Sequence, residues 1–188
     1  MRLAVLASGT GSICQAIIDA HVDVAAVVAD RTCGVIDLAN AGGIPSFLVE
    51  RTDFGPDFDR GQFSRDIVIT LQQADIDVVA MAGFGTVLDA PFFDAFDGRV
   101  LNTHPTLLPS FPGWHGVRDA LRHGVKITGC TVHIATLKVD AGPILAQAAV
   151  EVLDNDDEIS LHERIKSTER RLYPATIKKF LADLEAHT

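Results

Sequence analysis

The sequence predicts an α/β fold with a mainly parallel sheet, helices on both faces and some antiparallel pairing in the C-terminal half. Three observations predict it. Near-continuous apolar runs of strand length recur at Leu3–Ala7, Val24–Ala29 and Asp77–Ala82, as strands covered on both faces require. Stretches with helical spacing alternate with these runs, so sequential strands are joined by helical crossovers. In the C-terminal half the β-rich runs Ile127–Ala135 and Ile144–Val152 are separated by the turn Asp140-Ala141-Gly142-Pro143, with no helix between them, which favours antiparallel pairing.

Each element follows in order. The run Leu3–Ala7 breaks at Ser8-Gly9-Thr10-Gly11-Ser12, and Ala16, Ile17, Ile18 and Ala20 then predict a first helix before the strand Val24–Ala29. A helix over Val35–Ala41 ends at Gly42-Gly43, and Ile44–Val49 reads as a third strand with Pro45 near its start. Phe63, Ile67, Val68 and Leu71 predict a helix within Pro56–Ala74. The strands Asp77–Ala82 and Val100–Asn102 follow. Asp154–Glu158 favours a helix start, and Ile165, Leu172, Ile177 and Leu184 give the last helix one apolar face. The whole pattern is Rossmann-like. Open sheets of this kind bind ligands beyond the C-terminal ends of their strands, where SGTGS, GFGTVL and NTHP all lie.

With 188 residues and 47% apolar content the chain is expected to form one domain over residues 1–188. Its 25 acidic against 16 basic side chains give a formal charge of -9, which disfavours nucleic acid and anionic membrane as partners. A small anionic substrate is still allowed, because backbone N–H groups can bind phosphate inside an acidic protein. Cys14, Cys33 and Cys130 are odd in number and never form a C-x-x-C pair, so a reducing cytoplasm is expected. MRLAVLA stops at Ser8-Gly9 and reads as a strand, not a signal peptide, and no apolar stretch approaches the ~20 residues that span a bilayer.

Three segments carry candidate chemistry. In SGTGS, Gly9, Gly11 and Ser12 allow a tight turn that presents N–H groups to a single phosphate at a helix N-terminus; an unliganded turn is equally consistent with five residues. Cys14 occupies the third glycine position of G-x-G-x-x-G and no Walker lysine follows, which disfavours a dinucleotide. In LNTHPTLLPSFPG, Pro105, Pro109, Pro112 and Gly113 fix an extended loop at low entropy cost. Asn102 and His104 are two residues apart, so both fall on one side of an extended strand end and can aim at one oxygen. In KVDAGPILAQ, Asp140 beside an imidazole would favour protonated His104 and relay protons through water; alone it also reads as a turn aspartate. His115, His123 and His133 have no metal-ligand spacing, so no metal is expected and surface or structural roles are assigned to them.

SGTGS, AGFGTVL, LNTHPTLLPSFPGWHG, TGCTVHIA, VDAGPILAQ and ERIKSTERRLYP, in this order over nearly the whole chain, resemble the folate-dependent formyltransferases, in particular the glycinamide ribonucleotide branch. The resemblance implies formyl transfer from 10-formyltetrahydrofolate, as co-substrate, to the primary amine of glycinamide ribonucleotide through a tetrahedral intermediate. Asn102 and His104 are then the oxyanion donors and Asp140 maintains the protonation of His104 and assists proton transfer. The resemblance further implies that Gly11, Ser12 and Ile13 hold the ribonucleotide phosphate, that Glu169 meets the ribose, and that Arg60, Gly85, Thr86, Val87 and Leu88 serve the folate. Partners are these small molecules, and a homodimer is left open. Two positions depart from the pattern: Ile13 stands where many members carry Asn, and Gly85-Thr86 where many carry Met-Arg, leaving a smaller, uncharged wall. Competing readings are a formyltetrahydrofolate deformylase, a transferase to another amine, or a noncatalytic folate or nucleotide module.

Overall fold

A computed structural model describes residues 1–187. The elements are β1 (Leu3–Ala7), α1 (Ser12–Asp19), β2 (Val24–Ala29), α2 (Gly34–Ala41), β3 (Ser46–Leu48), α3 (Arg60–Gln73), β4 (Val78–Met81), α4 (Ala90–Ala95), β5 (Val100–His104), α5 (Gly116–His123), β6 (Ile127–Ile134), β7 (Ile144–Glu151) and α6 (Glu158–Glu185). The strand order is β3-β2-β1-β4-β5-β6-β7. Two compact units divide the chain, Met1–Leu101 and the residues from Asn102 onward, so β5 begins in the first and ends in the second.

The first unit is a doubly wound parallel layer. β1 pairs in parallel with β2 on one side and β4 on the other, and β2 pairs in parallel with β3. Every residue of β1 is buried, as are all those of β2 except Ala25, which is the physical reason that these strands read as unbroken apolar runs. β3 is shorter than the expected Ile44–Val49, because Pro45 has no N–H to donate and offers only its carbonyl, to Val27 N at 2.9 Å. α3 starts later than Pro56: Asp59 caps it by accepting from Gln62 N at 2.8 Å, and the preceding residues form turns. α4 escaped the periodicity analysis because its six residues are too few to display a helical repeat.

In the second unit β6 and β7 form the expected antiparallel pair, from Ile127↔Glu151 to His133↔Ile144, with an irregularity between Val132 and His133. β6 is buried beyond Ile127, whereas most of β7, at the end of the strand order, is exposed. α6 begins with a capping box in which Asp157 accepts from Ser160 N at 2.7 Å and Ser160 Oγ accepts from Asp157 N at 3.0 Å. Leu161 and Ile165 of α6 pack with Val117, Cys130 and Val150 in the core of this unit. Among the described residues no helix is long and apolar enough to cross a membrane.

Candidate active site

Asn102 and His104 lie at the end of β5, which runs two residues beyond the strand expected from sequence. Their side chains leave the same face, by the twofold repeat of an extended chain. His104 is buried, and its two ring nitrogens meet two acceptors: Nδ1 lies 3.3 Å from Asp140 Oδ2 and Nε2 2.9 Å from the Phe111 carbonyl. Only the doubly protonated ring can donate to both. Close approach on this side requires Gly116, since a Cβ there would stand 2.6 Å from Thr106 Cγ2, 2.8 Å from Phe111 O and 3.0 Å from His104 Nε2.

Asp140 holds the opposite side of this network. Its backbone is left-handed, with φ 54, in the turn that precedes β7, and its Oδ2 accepts from Gly113 N at 2.7 Å. Burial pushes its carboxyl up, but His133, the Gly113 N–H and the His104 ring outweigh burial and hold it below its ordinary value. The turn is built on Gly142, where any side chain would collide with the Ile134 carbonyl.

Of the two roles expected for His133, surface and structural, its burial rules out the first. It is almost fully buried on β6, its Nδ1 donates to the Ile134 carbonyl at 3.0 Å, and its Nε2 lies 3.2 Å from Asn102 Nδ2 and 3.6 Å from Asp140 Oδ1. Nε2 faces both the Asn102 amide and the Asp140 carboxylate: unprotonated it accepts one amide hydrogen of Asn102 and leaves the second N–H to donate elsewhere, and protonated it donates toward Asp140 Oδ1. The β6–β7 register shifts beside His133, where β7 carries an extra residue, Leu145, between the partners of Val132 and His133. His115 and His123 do not join the cluster: His115 precedes α5, and the His123 ring packs against Phe111 at 5.5 Å. Among the described residues no group of three side chains is arranged to hold a metal.

Glu169 is placed on the other face of β5. It continues the buried stripe of Leu161 and Ile165 along α6, and its Oε1 accepts from Thr103 Oγ1 at 2.7 Å. Burial raises its pKa against the opposing effect of the Thr103 bond. A carboxylate in line with an apolar helical stripe is the signal that singles it out in sequence.

The remaining candidates belong to the first unit. Gly11 is the N-cap of α1 with φ 79 and no side-chain cap, so the first-turn N–H groups of the helix are left for an anion. A Cβ at Gly11 would stand 2.9 Å from Val35 Cγ2, so close packing as well as backbone conformation selects glycine. Ile13 is buried in the core, so its side chain is not available to a ligand and only its main chain could serve one. In the segment 85–88 the side chains of Thr86 and Leu88 are buried and that of Val87 is exposed. The Thr86 hydroxyl donates to Asp30 Oδ2 at 2.7 Å, and Gly85 N donates to Ser8 Oγ at 2.6 Å. Arg60 is exposed at the first position of α3.

Residues 1–177 match the family described as Formyl transferase. The chain belongs to the formyl transferase family. Among characterised members, this formyl transferase is 50% identical over 183 residues to the phosphoribosylglycinamide formyltransferase of Mycobacterium tuberculosis, covering 94% of this chain and 83% of the relative. It is 35% identical to the enzyme of the same name from Bacillus subtilis, over 96% of this chain and 94% of that protein. Its fold superposes with a TM-score of 0.89 on the glycinamide ribonucleotide transformylase 1 of Symbiobacterium toebii, at 38% identity over 96% of this chain and 87% of the other.

Proposed function

We propose that this formyl transferase moves the formyl group of 10-formyltetrahydrofolate to the primary amine of glycinamide ribonucleotide, in purine biosynthesis. The observation that carries the reading is the buried constellation of Asn102, His104, His133 and Asp140, in which two N–H donors from one strand end are each oriented by a second residue. The relatives that bear this activity in their names, at 50% and 35% identity, support it.

The amine nitrogen attacks the formyl carbon, the carbonyl electrons pass to oxygen, and the second amide N–H of Asn102 meets the oxyanion. His104 joins it by exchanging its Nε2–H bond to the Phe111 carbonyl for one to the oxyanion, a stronger bond because the acceptor is charged. Asp140 takes the proton lost by the attacking amine through water, and its depressed pKa keeps it ionised for that role. Collapse of the intermediate breaks the bond from the formyl carbon to N10, which receives, through water, the proton that Asp140 took from the amine and leaves as tetrahydrofolate. The first unit supplies binding: the N–H groups of Gly11, Ser12 and Ile13 hold the phosphate, and Gly85, Thr86, Val87, Leu88 and Arg60 serve the folate, Thr86 and Leu88 through their main chain. Glu169 accepts from the ribose hydroxyls, which would favour its ionised form.

We infer one formyltransferase domain in a reducing cytoplasm, consistent with three free cysteines. The test follows tetrahydrofolate and formylated ribonucleotide in parallel. One-to-one formation of both, with negligible folate release when the ribonucleotide is omitted, is expected; release without an amine acceptor would establish a hydrolase instead.

A further inference from the structure

Asp30, at the C-terminal end of β2, takes no part in the chemistry above, yet it is fully buried. An isolated carboxylate in such a place is costly, so its partners must account for it. Arg31 donates to both of its oxygens, Nε to Oδ1 at 3.0 Å and Nη2 to Oδ2 at 3.1 Å. Thr86 Oγ1 donates to Oδ2 at 2.7 Å. Burial raises the Asp30 pKa, but the bonds from Arg31 and Thr86 help bring it below its ordinary value. Next to Thr86, Gly85 N donates to Ser8 Oγ at 2.6 Å.

These bonds link two segments distant in sequence. Ser8 opens the glycine loop that leads into α1, and Gly85-Thr86 opens the segment assigned to the folate. Ser8 N also donates to Gly83 O at 3.1 Å, so the two strand ends are stitched by main chain as well. Gly85 leaves little slack, because a Cβ there would stand 3.2 Å from Arg31 Nη2 and 3.4 Å from Ser8 Oγ. Packed, fully bonded groups of this kind pass displacements on instead of absorbing them.

We propose that Asp30 is a positioning residue that, by holding Thr86 beside the Gly85–Ser8 bond, couples the phosphate loop to the folate segment, so that filling one site strengthens binding at the other. This rests on the assignment of the two segments given under Proposed function. A brace that served stability alone would leave the two substrates binding independently.

The test is an initial-rate matrix in both substrates for the wild type, Asp30→Asn and Thr86→Val. The Val variant removes one hydroxyl while leaving the Arg31 pair in place. In the wild type, saturating ribonucleotide should lower the KM for formyl folate by about 5-fold or more, the usual lower range of site coupling. Both variants should bring that factor close to one, with KM rising more than kcat falls. Independent binding in the wild type, or an unchanged factor in variants whose melting temperature alone drops, overturns the proposal. Amide exchange with inorganic phosphate as the probe separates this from a failure of the assigned activity. If the wild type transfers no formyl group, the activity is wrong, while phosphate-dependent protection of Gly85 and Thr86 that vanishes in Asp30→Asn still upholds the coupling. Absence of that protection in the wild type overturns it.

Discussion

The two units use different material for their tasks. In the first, the proposed anion site consists of main-chain N–H groups at the start of α1, and the segment 85–88 offers chiefly backbone, because Thr86 and Leu88 face inward. In the second, the chemistry lies in side chains, each fixed by a buried partner: Asn102 by His133, and His104 by Asp140 and the Phe111 carbonyl. A backbone site tolerates exchange of side chains as long as the turn survives. A side-chain site does not. On this reading a buried Ile13 is compatible with phosphate binding, whereas Asn102, His104 and Asp140 admit no such freedom.

Substitutions should therefore fall into two classes, and the largest effect is expected in the second unit. His104→Ala should lower kcat by about 100- to 1000-fold, the usual loss for one oxyanion donor, while the affinity for ribonucleotide measured by calorimetry changes little. Equal losses in kcat and affinity would place His104 in binding and erase the contrast between the units.

Asp140→Asn should cost about 10- to 100-fold in kcat, because the amide neither favours imidazolium nor accepts a proton. It also has a pH signature. The Asp140 pKa is depressed in the folded chain, so its stabilisation is complete above the unfolded value and disappears as pH falls through the lower folded value. Urea melts at descending acidic pH should show a shallower loss of stability for the variant than for the wild type. Identical acid limbs would mean that the His104 and His133 contacts do not hold the carboxylate.

Glu169→Gln separates function from stability within one residue. Burial raises its pKa, so the native state prefers the proton, and ionisation becomes a penalty as pH rises through and beyond that value. The amide keeps an acceptor for Thr103 and carries no charge. The variant should match or exceed the wild-type melting temperature at pH 8, with the difference shrinking in acid, and the KM for ribonucleotide should rise. A variant less stable at pH 8 than at pH 4, relative to wild type, contradicts the sign of this shift.

The smallest effect on turnover is expected at Ile13→Asn. The side chain is buried, so the amide should cost about 1 to 3 kcal/mol of stability for an unpaired polar group and bring no gain in phosphate affinity. Tighter ribonucleotide binding would show that this position reaches the ligand after all.

Much of this was legible in advance, for identifiable reasons. β1 and β2 announced themselves because burial on both faces leaves no polar residue in a parallel strand. The pairing of Asn102 with His104 followed from the repeat of an extended chain alone. His133 has no local mark of its partner, as a lone histidine in a strand, and its contact with Asn102 appears only once β5 and β6 are placed. Thr86 reads as part of a smaller, uncharged wall, and only the fold shows its hydroxyl donating to Asp30.

The sequence by itself determined the alternation of strands and helices, the glycine turn before α1, the extended strand end at 102–104 and the acidic charge of the whole. These depend on local conformational preference and on the spacing of apolar residues, both of which can be read along one chain. The tertiary structure alone decided that Asp140 meets His104, that His133 meets Asn102, that Glu169 is buried against Thr103, and that Asp30 holds Thr86 beside the Gly85–Ser8 bond. Each of these contacts joins residues on different elements, and their directions are set by strand register and by glycines whose missing Cβ lets two chains approach.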